Sequence, residues 1–114
     1  MSAREKLAGM NARAAALYKA DGKTMTAFRG LMQAANRDGK VGHAMKEMIA
    51  TAVAIGRGCE DCITFHTSEA KAHGASREEF LEVLAVAIEM SGGPGTVYAA
   101  KALTTFDELH GETS

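Results

Sequence analysis

Two stretches of the chain are apolar on every side, and they constrain the fold more than any other feature of the sequence. Residues 48–55 read MIATAVAI and residues 83–88 read VLAVAI, without a charge in either. A helix without a polar face belongs in the middle of a bundle, where other helices cover it. The rest of the chain must therefore supply amphipathic helices that pack around two central ones.

Breaks that contain glycine divide the chain into about six segments with helical periodicity, and none has the alternation of a strand. Ser76 and Glu79 form a capping box before the fifth segment, and Pro94 suits the first turn of the sixth. The sequence predicts an all-α, single-domain bundle that spans residues 1–114. The helices are expected over about 3–20, 24–37, 41–56, 59–73, 77–91 and 95–109.

The first three segments carry apolar faces that we expect to pack into the bundle. These faces are Leu7, Met10, Ala14, Leu17 and Tyr18 in the first segment, Met25, Phe28, Leu31, Met32 and Ala35 in the second, and Val41, Met45, Met48, Ile49 and Ala52 in the third. Two apolar central helices are difficult for 114 residues to cover completely. We therefore also expect a homo-oligomer, in which copies of the chain cover the remaining apolar surface.

The charge and hydropathy of the chain exclude several classes of protein. A net charge of −1 gives no electrostatic basis for binding nucleic acid. No run of eighteen apolar residues is present, so we expect no membrane span. The first twenty residues lack the continuous apolar core of a secretory signal, and we expect a cytoplasmic protein.

The candidate functional residues lie between Glu47 and His66. Cys59 and Cys62 are the two cysteines of the chain, separated by two residues, and His66 follows the second by four. In a reducing compartment, an isolated pair at this spacing indicates a catalytic, redox-sensing or metal-binding role. The loop that such a disulfide closes is too short to stabilise a fold much. The pattern therefore favours chemistry at the two sulfur atoms over structural cross-linking.

Helical geometry places these side chains on one face. At about 100° per residue, Cys59, Cys62 and His66 fall within roughly 60° of one another. A helix N-terminus stabilises a thiolate through its unpaired N–H groups, and a histidine four residues after Cys62 can accept a thiol proton. We expect Glu47, on the preceding helix, to orient His66 or to relay its proton. Burial should also raise the pKa of the Glu47 carboxyl.

These residues resemble the motif of the alkyl hydroperoxidase D-like proteins, in the carboxymuconolactone decarboxylase superfamily. The matching pattern is Glu-x11-Cys-x-Asp-Cys-x3-His, followed by a helix that ends in His-Gly-Ala-Ser, and the resemblance covers about residues 41–110. It implies an all-helical fold that assembles as trimers or hexamers, and a thiol-dependent peroxidase or disulfide reductase without a bound metal or organic cofactor. The decarboxylase branch lacks the cysteine pair. The full hydroperoxidase is longer and carries a second, degenerate copy of the domain.

By this resemblance, Cys62 is the thiolate that attacks a hydroperoxide and Cys59 is its disulfide partner. His66 and Glu47 form the proton relay. A dithiol partner of the lipoyl, thioredoxin or peroxiredoxin kind then reduces the disulfide, and we expect it to attack Cys59 as the more exposed sulfur. The expected function is that of an antioxidant peroxidase.

Several alternatives remain open at the level of sequence. Zinc could bind Cys59, Cys62, His66 and His73, but these lie within one segment, whereas structural zinc sites draw ligands from separate elements. The two cysteines could be buried and inert. The pair could switch a binding module without turnover, or Glu47 and His66 could act on a small organic acid without any thiol step. His43, His73 and His110 lie near predicted helix ends, where solvated or capping roles are expected.

Overall fold

Six α-helices make up the part of the chain that the computed structural model describes, residues 1–109. They are α1 (Ala3–Ala20), α2 (Gly22–Ala35), α3 (His43–Arg57), α4 (Glu60–Ala72), α5 (Arg77–Ser91) and α6 (Gly93–Glu108). No strand occurs within this range, which confirms the prediction of an all-α fold. None of these six helices has the length and hydropathy needed to cross a membrane.

The helix ends follow local capping chemistry, and this explains where the predicted bounds were wrong. The side chain of Asp21 accepts a hydrogen bond from the Thr24 amide at 3.2 Å, so α2 begins at Gly22 and not after it. Helix α3 continues through Gly56 and ends at Gly58, whose φ of 69° is left-handed. The capping box of Ser76 with Glu79 is present at the start of α5. The predicted bounds of α1 and α5 agree with the structure.

The core lies between α3, α4, α5 and α6, which pack against one another. Its largest fully buried apolar side chains are Met48, Ile55, Ile63 and Phe80. The ring of Phe80 stacks on that of Phe106 at a centroid distance of 4.8 Å. The prediction that the third and fifth segments are central is correct in that both helices contribute buried faces to this core.

The apolar faces predicted for the first two segments do not enter this core. Helix α2 packs mainly against α1, and α1 reaches the core bundle through α4. In consequence α2 buries no residue fully and α1 buries only Ala3, while Leu17, Phe28 and Leu31 are exposed. The α1–α2 hairpin is therefore an outer layer, placed over one side of α4.

The buried face of α3 is also rotated relative to the predicted one. Of the predicted stripe only Met48 is fully buried, whereas Val41, Met45 and Ile49 are exposed. The face that packs inward carries Glu47, Met48, Thr51, Ala54 and Ile55, because α4 lies against the small residues on that side. An apolar surface that we call the outer apolar patch remains uncovered on α3 and α5. It consists of Ile49, Val53, Val86 and Met90.

Candidate thiol site at the start of helix α4

The cysteine pair lies where α3 turns into α4. Gly58 ends α3, and the Cys59 amide donates to the Ala54 carbonyl at 3.1 Å, which holds the turn against α3. Cys59 is the N-cap of α4, and its sulfur accepts the amide N–H of Cys62 at 3.3 Å. The two Cα atoms are 5.2 Å apart, and the sulfurs are joined in a disulfide. The spacing therefore brings both sulfurs into covalent reach, as the sequence predicted.

The structure also brings Glu47 and His66 together. Their side chains lie 19 positions apart in sequence, and His66 Nδ1 is 2.7 Å from Glu47 Oε1. This contact exists because α3 and α4 pack along the small residues that follow Glu47. Since Nδ1 is engaged by the carboxylate, Nε2 is the ring nitrogen of His66 that is left for a reacting group. The carboxylate fixes the orientation of the imidazole.

The predicted direction of the Glu47 pKa shift is wrong. Burial raises the pKa of this carboxyl, since its residue is only 5% exposed. The hydrogen bond and charge of His66, and then those of His43, outweigh burial and hold the pKa of Glu47 below its ordinary value. Glu47 is therefore an ionised hydrogen-bond acceptor at neutral pH.

His43 is the residue of this site that the sequence reasoning missed. It begins α3, as expected for a histidine near a helix end, but its Nε2 lies 3.1 Å from Glu47 Oε2. Its ring stacks on His73 at a centroid distance of 3.7 Å, and His73 is the C-cap of α4. The four-residue spacing of His43 and Glu47 was a visible signal for this contact. His110 lies outside the described residues.

A cleft of about 520 Å³ opens beside Cys62 and His66, between α4 and the α1–α2 hairpin. Its walls are mostly apolar, with Met10, Ala14, Phe28, Leu31, Met32 and Phe65 among the lining residues. Cys62 is exposed in the described chain, whereas Cys59 is half-buried. This corrects the expectation that Cys59 is the more exposed residue. The reason is that the Cys59 backbone is held against the end of α3, while Cys62 lies one turn along α4, facing the cleft.

The site has no arrangement of metal ligands. Within residues 1–109, no three His, Cys, Asp or Glu side chains converge in a way that could hold a metal ion. His73, the fourth ligand of the zinc alternative, stacks on His43 and bonds through Nδ1 to the Glu69 carbonyl at 2.8 Å. The arrangement instead provides two sulfurs that form a disulfide, a buried carboxylate and a histidine beside an apolar cleft.

Comparison with known proteins identifies the family. The model of the carboxymuconolactone decarboxylase family matches residues 22–105. An uncharacterized protein of Cupriavidus necator is 50% identical over 105 residues, covering 92% of this chain and 93% of that protein. Uncharacterized protein 4 in the cox locus of Paracoccus denitrificans is 38% identical over 85 residues, covering 75% of this chain and 77% of that protein.

A solved structure agrees with these matches. The apo crystal structure of a carboxymuconolactone decarboxylase family protein from Legionella pneumophila is similar to this fold with a TM-score of 0.89. The two sequences are 39% identical, and the match covers 93% of this chain and 95% of the other. The alkyl hydroperoxidase D-like resemblance, which lies in the same superfamily, fits these findings. The chain belongs to the carboxymuconolactone decarboxylase family.

Proposed function

We propose that this protein is a thiol-dependent oxidoreductase that reduces hydroperoxides and cycles through the Cys59–Cys62 disulfide. The proposal rests on one observation: the cysteine pair, the His66–Glu47 pair and an apolar cleft lie together at the start of α4. A closed disulfide lies beside His66, His66 is held by the ionised Glu47, and Cys62 and His66 line the same apolar cleft. These are the parts that thiol chemistry on a peroxide needs.

In the reduced form, His66 Nε2 accepts the proton of the Cys62 thiol, and the resulting imidazolium is stabilised by Glu47. The Cys62 thiolate attacks the terminal oxygen of the hydroperoxide and breaks the O–O bond. The sulfur becomes a sulfenic acid, and the leaving alkoxide takes the proton from His66 as an alcohol. Cys59 then attacks the sulfenic sulfur, which forms the disulfide and releases one water. The apolar walls of the cleft favour an organic hydroperoxide over hydrogen peroxide.

A dithiol partner closes the cycle. Because Cys62 is the exposed member of the pair, we propose that the partner attacks its sulfur and expels Cys59 as the thiolate. The N-terminal amides of α4 stabilise that leaving thiolate, since Cys59 is the N-cap and already accepts the Cys62 N–H. The second partner thiol then resolves the mixed disulfide. Partners with a lipoyl, thioredoxin-like or peroxiredoxin-like dithiol fit this role.

The test is turnover of cumene hydroperoxide with dihydrolipoamide as the electron donor. The wild-type protein should consume both at equal rates, and Cys62→Ser should lose the activity. The matched variant Cys59→Ser should form a sulfenic acid that dimedone traps at Cys62, but it should not reach the disulfide. If Cys62→Ser keeps the wild-type rate, the assignment is wrong. Oxidation of the wild-type pair by one equivalent without further turnover would indicate a redox switch instead.

A further inference from the structure

The carboxylate of Glu47 is shared between two histidines, and the proposed mechanism uses only one of them. Oε1 lies 2.7 Å from His66 Nδ1, and Oε2 lies 3.1 Å from His43 Nε2. Glu47 is 5% exposed, and His66 and His43 are the groups that hold its pKa below the ordinary value. Each oxygen of this buried carboxylate thus contacts a histidine.

His43 occupies the outer side of this arrangement. Its side chain is 36% exposed, whereas that of His66 is 26% exposed and lines the cleft. The His43 ring stacks on His73, which is held by the Glu69 carbonyl at 2.8 Å and by the Glu69 carboxylate at 3.6 Å. The charged neighbour Lys46 is directed elsewhere, because its Nζ donates to the carbonyl of Ala35, at the end of α2, and to that of Arg37, in the α2–α3 connection. His43 is therefore the more exposed of the two histidines that hold Glu47.

We propose that His43 is a positioning residue of the thiol site: it holds Glu47 through Oε2 and, by its own protonation, sets the pH range in which His66 accepts the Cys62 proton. The thiol step in this statement rests on the proposed function. The sharing of one carboxylate by two histidines does not.

The physical reason is competition for one negative charge. When His43 is protonated, it neutralises much of the carboxylate's attraction for a second proton, and it repels an imidazolium at His66. His66 is then a weaker base. When His43 is neutral, the whole charge of Glu47 supports His66. Protonation of one ring should therefore disfavour protonation of the other.

The experiment follows the imidazole resonances of the reduced protein by NMR as the pH is varied. In His43→Gln, which keeps a hydrogen-bond donor near Oε2 but carries no charge, the His66 titration should move to higher pH, because no second positive charge competes for Glu47. The pH midpoint of Cys62 alkylation should move to lower pH, because a more basic His66 accepts the thiol proton more readily.

The control is His73→Gln, because His73 contacts the His43 ring and makes no hydrogen bond to Glu47. It should shift the His66 titration less than His43→Gln does. An unchanged His66 titration in His43→Gln, or an equal shift in His73→Gln, would overturn the proposal. Since these readouts need no peroxide, an inactive wild-type protein with coupled histidines would refute the proposed function and leave this inference standing.

Discussion

Glu47 shows how a single buried residue balances opposing effects. The fold removes its carboxylate from water, which favours the protonated form, yet hydrogen bonds from two histidines favour the ionised form more strongly. The outcome is a fixed negative charge between α3 and α4. A neutral carboxylic acid could not stabilise an imidazolium at His66. The site can therefore support proton transfer to His66 only because Glu47 is ionised.

The same balance predicts a pH-dependent contribution to stability. Because the pKa of Glu47 is lowered in the folded state from the ordinary 4.5, its ionised form stabilises the fold above that value. The contribution is lost as the pH falls through the lowered value. Glu47→Gln should therefore cost about 1–3 kcal/mol of unfolding free energy near neutral pH. The difference should shrink as the pH falls below 4.5, through the lowered pKa of Glu47.

Urea unfolding from about pH 7 down to about pH 3 measures this difference. The exposed Glu89, on α5, provides the matched control, and Glu89→Gln should change stability little at any pH. A wild-type advantage over Glu47→Gln that grows as the pH falls below 4.5 would contradict the assigned direction.

At the residue scale, the sequence identified the candidate site residues but did not predict the contacts that surround Glu47. The spacing of Cys59 and Cys62 predicted that their sulfurs come within bonding distance, and the expected contact of Glu47 with His66 is present. The direction of the Glu47 pKa shift was wrong because His66 and a second histidine, His43, outweigh burial, and the sequence reasoning did not consider His43 as a partner of Glu47.

At the scale of elements, the turn between α3 and α4 determines where the sulfurs lie. Gly58 is left-handed, and the next residue caps α4 with its sulfur. A Cβ at Gly58 would also lie 3.3 Å from the Tyr98 hydroxyl. The turn is thus constrained both by its backbone conformation and by α6, which carries Tyr98.

We predict that Gly58→Ala lowers the unfolding free energy by about 1–2 kcal/mol, because a residue with a Cβ is strained in the left-handed region. It should also change the alkylation rate of Cys62, since the turn positions the cysteine pair. Gly74→Ala is the matched control: its φ of 97° is also positive, but it follows α4 at the end away from the cysteines. It should lower stability and leave the alkylation rate unchanged. Thermal unfolding and mass spectrometry measure the two effects, and equal alkylation rates in both variants would contradict the role given to the turn.

Hydrophobic periodicity predicted the number and type of the helices but not which faces become buried. The apolar face of α2 is as regular as that of the core helix α3, yet α2 packs mainly against α1 and stays largely exposed. Periodicity reports that a helix has an apolar side. It does not report which partner covers that side, because this depends on the packing of all the helices together.

At the scale of the whole molecule, the outer apolar patch leaves part of α3 and α5 uncovered. Ile49, Val53 and Val86 are at least half exposed, and Met90 is 79% exposed. A cleft of about 730 Å³ lies between α3, α5 and the start of α6, and Val53, Val86 and Met90 are among its lining residues. A contiguous apolar surface of this kind is typical of an interface. We propose that further copies of the chain cover it.

This proposal predicts the effect of a charge placed in the patch. Val53→Glu should shift the protein to a smaller assembly, because an unpaired carboxylate cannot be buried in an apolar contact without a large cost. Light scattering coupled to size-exclusion chromatography measures the mass. Lys23→Glu, an exposed change on α2, is the control and should leave the mass unchanged. A wild-type protein that is monomeric at high concentration would contradict the proposal.

Because the α1–α2 hairpin lies over α4, different helices supply the reactive groups of the site and much of the wall of the cleft beside it. The sulfurs, the imidazole and the carboxylate belong to α3 and α4, whereas much of the wall of the cleft belongs to the hairpin, which adds almost nothing to the core. Substitutions in the α1–α2 hairpin can therefore change which substrates fit the cleft, while the residues of the thiol site on α3 and α4 stay the same. Grafting foreign hairpins onto residues 43–109 and comparing peroxides of different bulk would show whether preference follows the graft.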